Sequence, residues 1–439
     1  MQFYNREKEL ATLSEIKKMS ENGGQMTVLT GRRRIGKTAL LIKSCEGSPT
    51  LYFFVTRKAE PLLCNEFVEE IRTKLNEACG TFLSFGKLFE YLMLLSKRRA
   101  FNLVVDEFQE FERVNASVFG EMQHYWDLHK DESQMNLLIS GSVHSLMHKI
   151  FEDRKEPLFS RAGRIIRLKP FGTATLRQIL ADHHPDYTNE DLLAFYSLTG
   201  GVAWYVELFV KYNALTFNKM LNLMLRDDAP FLNEGKNLLV EEFGKDNAIY
   251  FSILECVARG LTSRSEMEAY LGGRDIGGYL SRLENDYYIL AQKRPIFAKP
   301  SSRQVRYFIA DNFLSFWFRF VYKYQNFIES GNVEQLKAVI RRDYPTFSGL
   351  MLERYFRQRF MEEGQYTRIG GYWNRKGEDE IDMVAVNELE KRIEFVEIKR
   401  SADRIDIGAL AEKAQHFLAV NKEIHDFNVV YKGLSMNDM

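Results

Sequence analysis

The chain has 439 residues, 45% hydrophobic and 13% aromatic, enough to bury several cores, and its length predicts two to four domains. Sixty basic and sixty acidic residues cancel, which excludes a global field that would draw in nucleic acid and leaves any such contact to local patches. The start MQFYNREKEL is too charged for a secretory signal and no apolar run reaches membrane-spanning length, so a cytoplasmic chain without membrane contact is expected.

From residue 1 to about 170, strand and helix patterns alternate, which predicts a parallel sheet with helices on both faces. Met26 to Thr30 is a short apolar, β-rich run and Thr38 to Ser44 begins a helix. Between them Gly31, Gly36, Lys37 and Thr38 fill the pattern G-x-x-x-x-G-K-[ST]. A loop of this kind wraps phosphates with its backbone N–H groups at the positive end of a helix. Lys37 is therefore expected to reach the β and γ phosphates of ATP, and Thr38 to ligate Mg²⁺. The apolar run from Phe101 to Val105 does not alternate and reads as a strand covered on both faces. Asp106 at its end would hold Mg²⁺, and Glu107 would orient or deprotonate the attacking water. A third strand, Asn136 to Ser140, leads into Gly141-Ser142, where Ser142 either senses the γ-phosphate or caps the next helix. Cys45, Cys64, Cys79 and Cys256 are too scattered for a zinc ribbon and are expected to be reduced. His144 and His148 stand four apart without a third ligand, so no metal is assigned to them.

Residues 171–243 read as helix after helix, with Leu176, Ile179, Leu180, Leu192 and Leu193 at helical spacing, a candidate lid over the nucleotide. Three short helices are predicted at 247–257, 263–271 and 275–286, then hairpin strands at 287–292 and 304–310, which is a winged-helix order. Within the wing Lys293, Arg294, Lys299, Arg303 and Arg306 stand without an acid. The wing either lies along DNA phosphates or is a solvated packing module. The aromatic stretch Phe313 to Tyr324 reads as a docking or core helix. Further on, Glu380-Ile381-Asp382 is separated by fourteen residues from Glu397-Ile398-Lys399, which closes a predicted strand beginning at Arg392. A strand puts i and i+2 on one face, so Glu397 and Lys399 point the same way. Asp382 and Glu397 would offer hard oxygens to Mg²⁺, with Lys399 positioning water or steadying charge on a phosphate; an edge strand of alternating charges is the plainer alternative.

Together these segments resemble archaeal and bacterial P-loop ATPases of the AAA+/STAND group, in which an ATPase module precedes a winged helix and a C-terminal domain of restriction-endonuclease type. Phe3-Tyr4-Asn5-Arg6-Glu7 is similar to that group's Gly-Arg-Glu box, with Asn5 for the glycine, and implies Arg6 near the adenine. Gly31-Arg32-Arg33-Arg34-Ile35-Gly36-Lys37-Thr38, followed by Ala39, is similar to its P-loop, and Asp106-Glu107-Phe108-Gln109 to its acidic motif. Pro157 to Arg161 resembles a segment whose arginine acts near the γ-phosphate, within the chain or across an interface. Gly200-Gly201-Val202-Ala203 resembles a Gly-Gly-x-Pro turn of the lid, with Ala203 replacing the proline. The C-terminal spacing resembles the PD-(D/E)XK nuclease fold, which implies Glu353 as an upstream helical acid. The resemblance implies an α/β chain with a P-loop ATPase core (1–170), a helical lid (171–243), a winged helix (244–322) and a nuclease-like domain (323–439). It implies a nucleotide set of Arg6, Gly31 to Ala39, Asp106 and Ser142, metal ligands Thr38, Asp106, Asp382 and Glu397, and catalytic roles for Lys37, Glu107, Arg161, Glu353, Asp382, Glu397 and Lys399. The expected function is an ATP-hydrolysing switch controlling a DNA-acting, Mg²⁺-dependent nuclease-like domain. The alternative is an ATP-gated DNA-binding or scaffold protein whose nuclease-like domain is silent. The oligomeric state is left open.

Overall fold

In the computed structural model the described residues are 3–226, 228–243, 247–375 and 378–439. The chain divides at Pro170/Phe171 into two units.

The amino-terminal unit is built on five parallel strands in the order β2-β3-β4-β1-β5: β1 (Gln25–Thr30), β2 (Thr50–Phe54), β3 (Phe101–Asp106), β4 (Met135–Ser140) and β5 (Arg164–Arg167). Around them lie α1 (Glu7–Met19), α2 (Lys37–Cys45), α3 (Glu60–Leu75), α4 (Phe85–Ser96), α5 (Phe111–Val114), α6 (Ser117–His129) and α7 (His144–Glu152). Every residue of β3 and β4 is buried, because each sheet face has its own core. Leu103, Val105, Leu137 and Ile139 pack in the core that holds α3, α4 and α6; Val104 and Leu138 pack with Leu13, Leu40 and Leu41 of α1 and α2. Parallel strands bring their carboxyl ends to one edge, where the β1–α2 loop, Asp106 and Ser140 gather.

In the carboxy-terminal unit α8 (Thr173–His183), α9 (Asn189–Thr199), α10 (Ala203–Lys211), α11 (Phe217–Met224) and α12 (Phe231–Phe243) follow one another. Helix α9 opens with a reciprocal Thr188–Asp191 cap and is buried from Asp191 to Thr199, so it is the centre of this stretch. Gly200 ends it in the left-handed region, and a Cβ on Gly201 would stand 2.2 Å from the Phe171 carbonyl oxygen. Ala203 is the first residue of α10, a position where proline also fits, so the departure from Gly-Gly-x-Pro leaves the turn intact. The expected boundary between residues 243 and 244 lies outside the described residues.

Next come α13 (Asn247–Ala258), α14 (Arg264–Tyr270), α15 (Gly277–Asn285) and the antiparallel pair β6 (Leu290–Lys293) and β7 (Arg306–Ile309). The strands are shorter than the sequence predicts: residues 287–289 close α15, where the Tyr287 and Ile289 N–H groups donate to Arg282 O and Leu283 O, and the pairing ends at Lys293 opposite Arg306, beyond which Ile296 N–H donates to Gly371 O at 2.8 Å. The aromatic stretch forms α16 (Asn312–Phe316) and one π-helical segment, Trp317–Tyr322; Phe313, Phe316, Trp317, Phe318 and Phe320 are buried, which makes it a core element. After α17 (Gln325–Glu329), α18 (Val333–Glu363) runs for 31 residues, about 46 Å. A four-stranded sheet of order β11-β10-β9-β8 completes the unit: β8 (Arg368–Trp373), β9 (Glu380–Asn387) and β10 (Arg392–Ile398) are antiparallel, and β11 (Asn428–Leu434) returns parallel to β10 through α19 (Ile407–Val420). Val384, Val386, Ile393 and Phe395 pack on Leu410, Ala414 and Phe417 of α19. Among the described residues no helix is long and apolar enough to cross a membrane.

Candidate functional site

Between β1 and α2 the backbone is left-handed at Gly31 (φ +145°), Arg34 (φ +67°) and Gly36 (φ +98°). A Cβ on Gly31 would stand 2.7 Å from Leu168 O, so glycine is required there. Ile35 is buried in the core beneath α2 and pins the loop, while Arg32, Arg33 and Arg34 stay partly exposed and Ala39 is exposed on the first helical turn. Gly36 begins α2 without a side-chain cap, so the first-turn N–H groups keep their capacity for an anion. Lys37 is buried and its ammonium donates to Gly31 O (2.8 Å) and Arg32 O (3.1 Å) across the loop.

Asp106, at the end of β3, is the hub of this edge. Its Oδ2 accepts from Thr38 Oγ1 (2.8 Å) and Tyr52 Oη (2.6 Å), and its Oδ1 from the Ser140 hydroxyl and the Glu107 N–H (3.0 Å). Burial, then the carboxylate, pushes the Tyr52 phenol up, which keeps it a donor. Glu107 is a non-glycine residue at φ +55°, a strain of the kind that collects at functional sites. Its Oε2 accepts from Gln109 Nε2 (2.5 Å) and Ser142 Oγ (2.7 Å). A Cβ on Gly141 would lie 2.3 Å from Gln109 Oε1, so that glycine makes room for the amide. Helix α7 begins after Val143 with no side-chain cap. This corrects the capping alternative for Ser142, whose hydroxyl instead holds Glu107. The pair of hard oxygens on Thr38 and Asp106, beside an uncapped helix start, fits a Mg²⁺ ion carried by a nucleotide.

Arg6 lies at the same edge: Nη2 donates to Lys169 O (2.8 Å), just beyond β5, and Nη1 pairs with Glu9 (3.3 Å). Burial draws its pKa down against the pull of Glu9. Arg161 is elsewhere. It precedes β5 at the amino ends of the strands, where Gly163 N–H donates to Met26 O (2.9 Å), and it pairs with Asp127 (3.0 Å). From Met26 to Gly31 the strand rises about 16 Å. The within-chain expectation for Arg161 is therefore corrected: only its reach across an interface remains.

The second cluster forms where β9 and β10 part. Their register ends at Met383 opposite Val396. One residue beyond, Asp382 Oδ2 accepts from the Ile398 N–H (2.8 Å) and from Lys399 Nζ (3.0 Å). Glu397 Oε1 is 3.4 Å from Lys399 Nζ, and its Oε2 accepts from the N–H of Asp406, the residue that caps α19 (2.8 Å). Burial pulls Lys399 down, but Asp382 and Glu397 outweigh it and hold the ammonium above its ordinary pKa. Glu353 of α18 shares a cavity wall with Asp382; burial first, and Asp382 second, push its carboxyl up against Arg357, Lys293 and Lys399. Among the described residues no three His, Cys, Asp or Glu side chains stand close enough together to hold a metal. A Mg²⁺ ion that keeps most of its water needs only one or two carboxylates, and Asp382 with Glu397 fits that requirement.

The basic row of the hairpin is split. Arg294, Lys299 and Arg303 are exposed, but Lys293 and Arg306, cross-strand partners on β6 and β7, line the same cavity as Glu353 and Asp382. Arg306 pairs with Glu380 (2.7 Å) and lies 4.5 Å over the Trp373 ring. The five cations therefore do not form one exposed row: three are exposed and two line the cavity. Tyr52, Arg354 and Arg357 were not found from sequence, and Gln109 was read only as the last residue of the acidic motif, without a role. The polar–apolar alternation of β2 hinted at Tyr52.

Residues 3–209 match the family described as an ATPase domain predominantly from Archaea, and residues 317–420 match archaeal and bacterial proteins of unknown function. An uncharacterized protein of Methanocaldococcus jannaschii is 29% identical over 408 residues, which covers 90% of this chain and 87% of that one. The Walker-type ATPase of Pyrococcus abyssi shares the fold with a TM-score of 0.55 at 20% identity, over 72% of this chain and 96% of its own. The ORC2 protein of Aeropyrum pernix, in ADPNP–ADP complexes, aligns at 14% identity with a TM-score of 0.49, over 75% and 95%. The chain thus carries a P-loop ATPase domain of the kind found predominantly in Archaea, followed by a segment shared with archaeal and bacterial proteins of unknown function.

Proposed function

We propose that the chain is an ATP-hydrolysing switch whose carboxy-terminal sheet carries a Mg²⁺-dependent, DNA-acting nuclease-like site, with α13 to α15 and the β6–β7 hairpin serving as a winged helix. The observation that carries it is the meeting of Asp382, Glu397 and Lys399 at the parting of two strands, in the same chain as a P-loop edge centred on Asp106.

At the first site Lys37 exchanges its two carbonyl partners for the β and γ oxygens of ATP, while Arg6 borders the base. Thr38 and Asp106 hold the ion. Bound Mg²⁺ supplies charge neutralisation on the transferring phosphate. Glu107, fixed by Gln109 and Ser142, orients the attacking water and accepts its proton. At the second site Lys399 steadies charge on the phosphate, Glu397 and Asp382 present oxygens, and Glu353 is the further acid.

A second reading, an ATP-gated DNA-binding or scaffold protein with a silent nuclease-like domain, draws support from the cations of the hairpin and α18 that already face Asp382. The deciding experiment is DNA cleavage by the full chain with Mg²⁺ and ATP. Loss in Lys399→Ala with ATP binding preserved supports the nuclease, whereas equal cleavage by parent and variant overturns it. Salt-sensitive DNA retention without cleavage, weakened by neutralising Arg294 and Arg303, supports the silent form.

A further inference from the structure

We infer that the cavity lined by α18, the β6–β7 hairpin, β8–β9 and the end of α13 is a binding pocket for an organic phosphate of nucleotide size, its phosphate seated among Lys293, Arg354 and Arg357.

The volume, about 470 Å³, is in the range of small-molecule sites. What singles it out is charge. Among the described residues the hydrogen bonds of Arg354 go to neutral oxygens, Asn312 Oδ1 (3.2 Å) and Ser315 Oγ (3.3 Å). Arg357 donates through Nη2 to the backbone oxygen of Asp382 (2.8 Å), and its buried Nε has no hydrogen-bond partner among the described residues. Lys293 Nζ rests 4.5 Å from the Phe308 ring centroid. The acids nearby do not neutralise all three: Asp382 is engaged by Lys399 and Glu380 by Arg306, which leaves Glu353 and, acting on Arg354 from the cap of α16, Asp311. Burial draws Lys293 down and Arg354 to about 10, as it does for cations short of counter-charge. Three partly desolvated cations on two rigid elements are a costly arrangement without an anion, and guanidinium groups match phosphate oxygens in geometry. Beside the polar side chains of Arg259, Arg306, Arg319 and Thr346, the wall has an apolar stretch of Phe308, Phe347 and Met351, which suits an organic group on the phosphate. A nucleoside monophosphate meets both requirements, whether free or as the 5′ end of a strand. The inference stands whether or not Asp382 takes part in cleavage.

The test uses the full chain carrying Lys37→Ala, in EDTA, so that neither the P-loop nor metal-dependent cleavage contributes. Titrations compare thymidine monophosphate, inorganic phosphate, and a 3′-labelled single-stranded hexanucleotide with and without its 5′ phosphate. Thymidine monophosphate is expected to bind saturably and more tightly than inorganic phosphate, and to weaken by about tenfold or more in each of Arg357→Gln and Lys293→Met. Glu353→Gln, which removes the opposing acid, should tighten it. Thermal melts establish that each variant is folded, and either cation variant alone suffices if the other is not. Preference for the 5′-phosphorylated hexanucleotide identifies strand ends as the source; preference for the mononucleotide identifies the free form. No saturable binding, affinity unchanged in the folded cation variants, or inorganic phosphate binding as tightly as the nucleotide would each overturn the inference.

Discussion

Asp382 does two things that a pair of substitutions can separate. Because the β9–β10 ladder ends at Val396, the Ile398 N–H is met by the Asp382 carboxylate at 2.8 Å. Truncation to alanine leaves that amide without its acceptor and removes a charged hydrogen bond of about 1.5–3 kcal/mol. The Lys399 partner is 36% exposed, so its pairing adds no more than about 1 kcal/mol. Relief of the repulsion that raises Glu353 offsets part of this. The net is about 2–3 kcal/mol, or roughly 30- to 150-fold in an opening equilibrium. Two units make a single unfolding midpoint ill-defined, so the assay is amide exchange of the peptide spanning residues 392–399. Asp382→Ala should exchange faster at Ile398 by that factor. Asp382→Asn keeps an acceptor oxygen and should lose only about 1 kcal/mol, yet lose Mg²⁺-dependent cleavage as completely as alanine does. Unchanged exchange in Asp382→Ala would show that the carboxylate does not terminate the ladder, and full cleavage by Asp382→Asn would remove it from the metal site.

Lys37→Ala should weaken ATP binding by at least about 100-fold in calorimetry. Glu107→Gln should retain ATP and slow turnover by about 10²- to 10⁴-fold in a phosphate-release assay. Gly141→Ala drives a methyl group towards Gln109 Oε1 and should loosen Glu107, lowering kcat by up to about tenfold while the affinity for ATP holds. Burial places the Lys293 pKa below its unfolded value, so fewer protons are bound in the native state and stability rises with pH between the folded and unfolded values. Lys293→Met should raise the amide protection factors of the β6–β7 hairpin above the parent's at neutral pH and below, and should lack that rise; an unchanged pH profile of the protection factors would contradict the buried ammonium.

What could be read in the sequence was whatever chemistry ties to neighbours along the chain. The loop from Gly31 to Thr38 and the carboxylate after an unbroken apolar strand are local patterns, and the two-sided core behind β3 explains why that strand showed no alternation. The E-x-K step was legible because a strand fixes i and i+2 on one face. The partners were not, because they come from register and from helices far along the chain. Tyr52 meets Asp106 across 54 positions, and Arg306 meets Glu380 across 74. The wing shows how a charge count misleads. Five cations without an acid look like one phosphate-tracking row, yet Lys293 faces inward while Arg294 beside it is exposed. Neighbouring positions on an extended chain face opposite ways, so the adjacency of those two residues already argues that they cannot share one phosphate-facing side. Alternation could not say that α18 would bring Arg354 and Arg357 to the inner side, since that depends on where a 31-residue helix crosses the hairpin. The charge surplus of the cavity is therefore a property of the packed unit, and the local sequence of the wing holds only half of it.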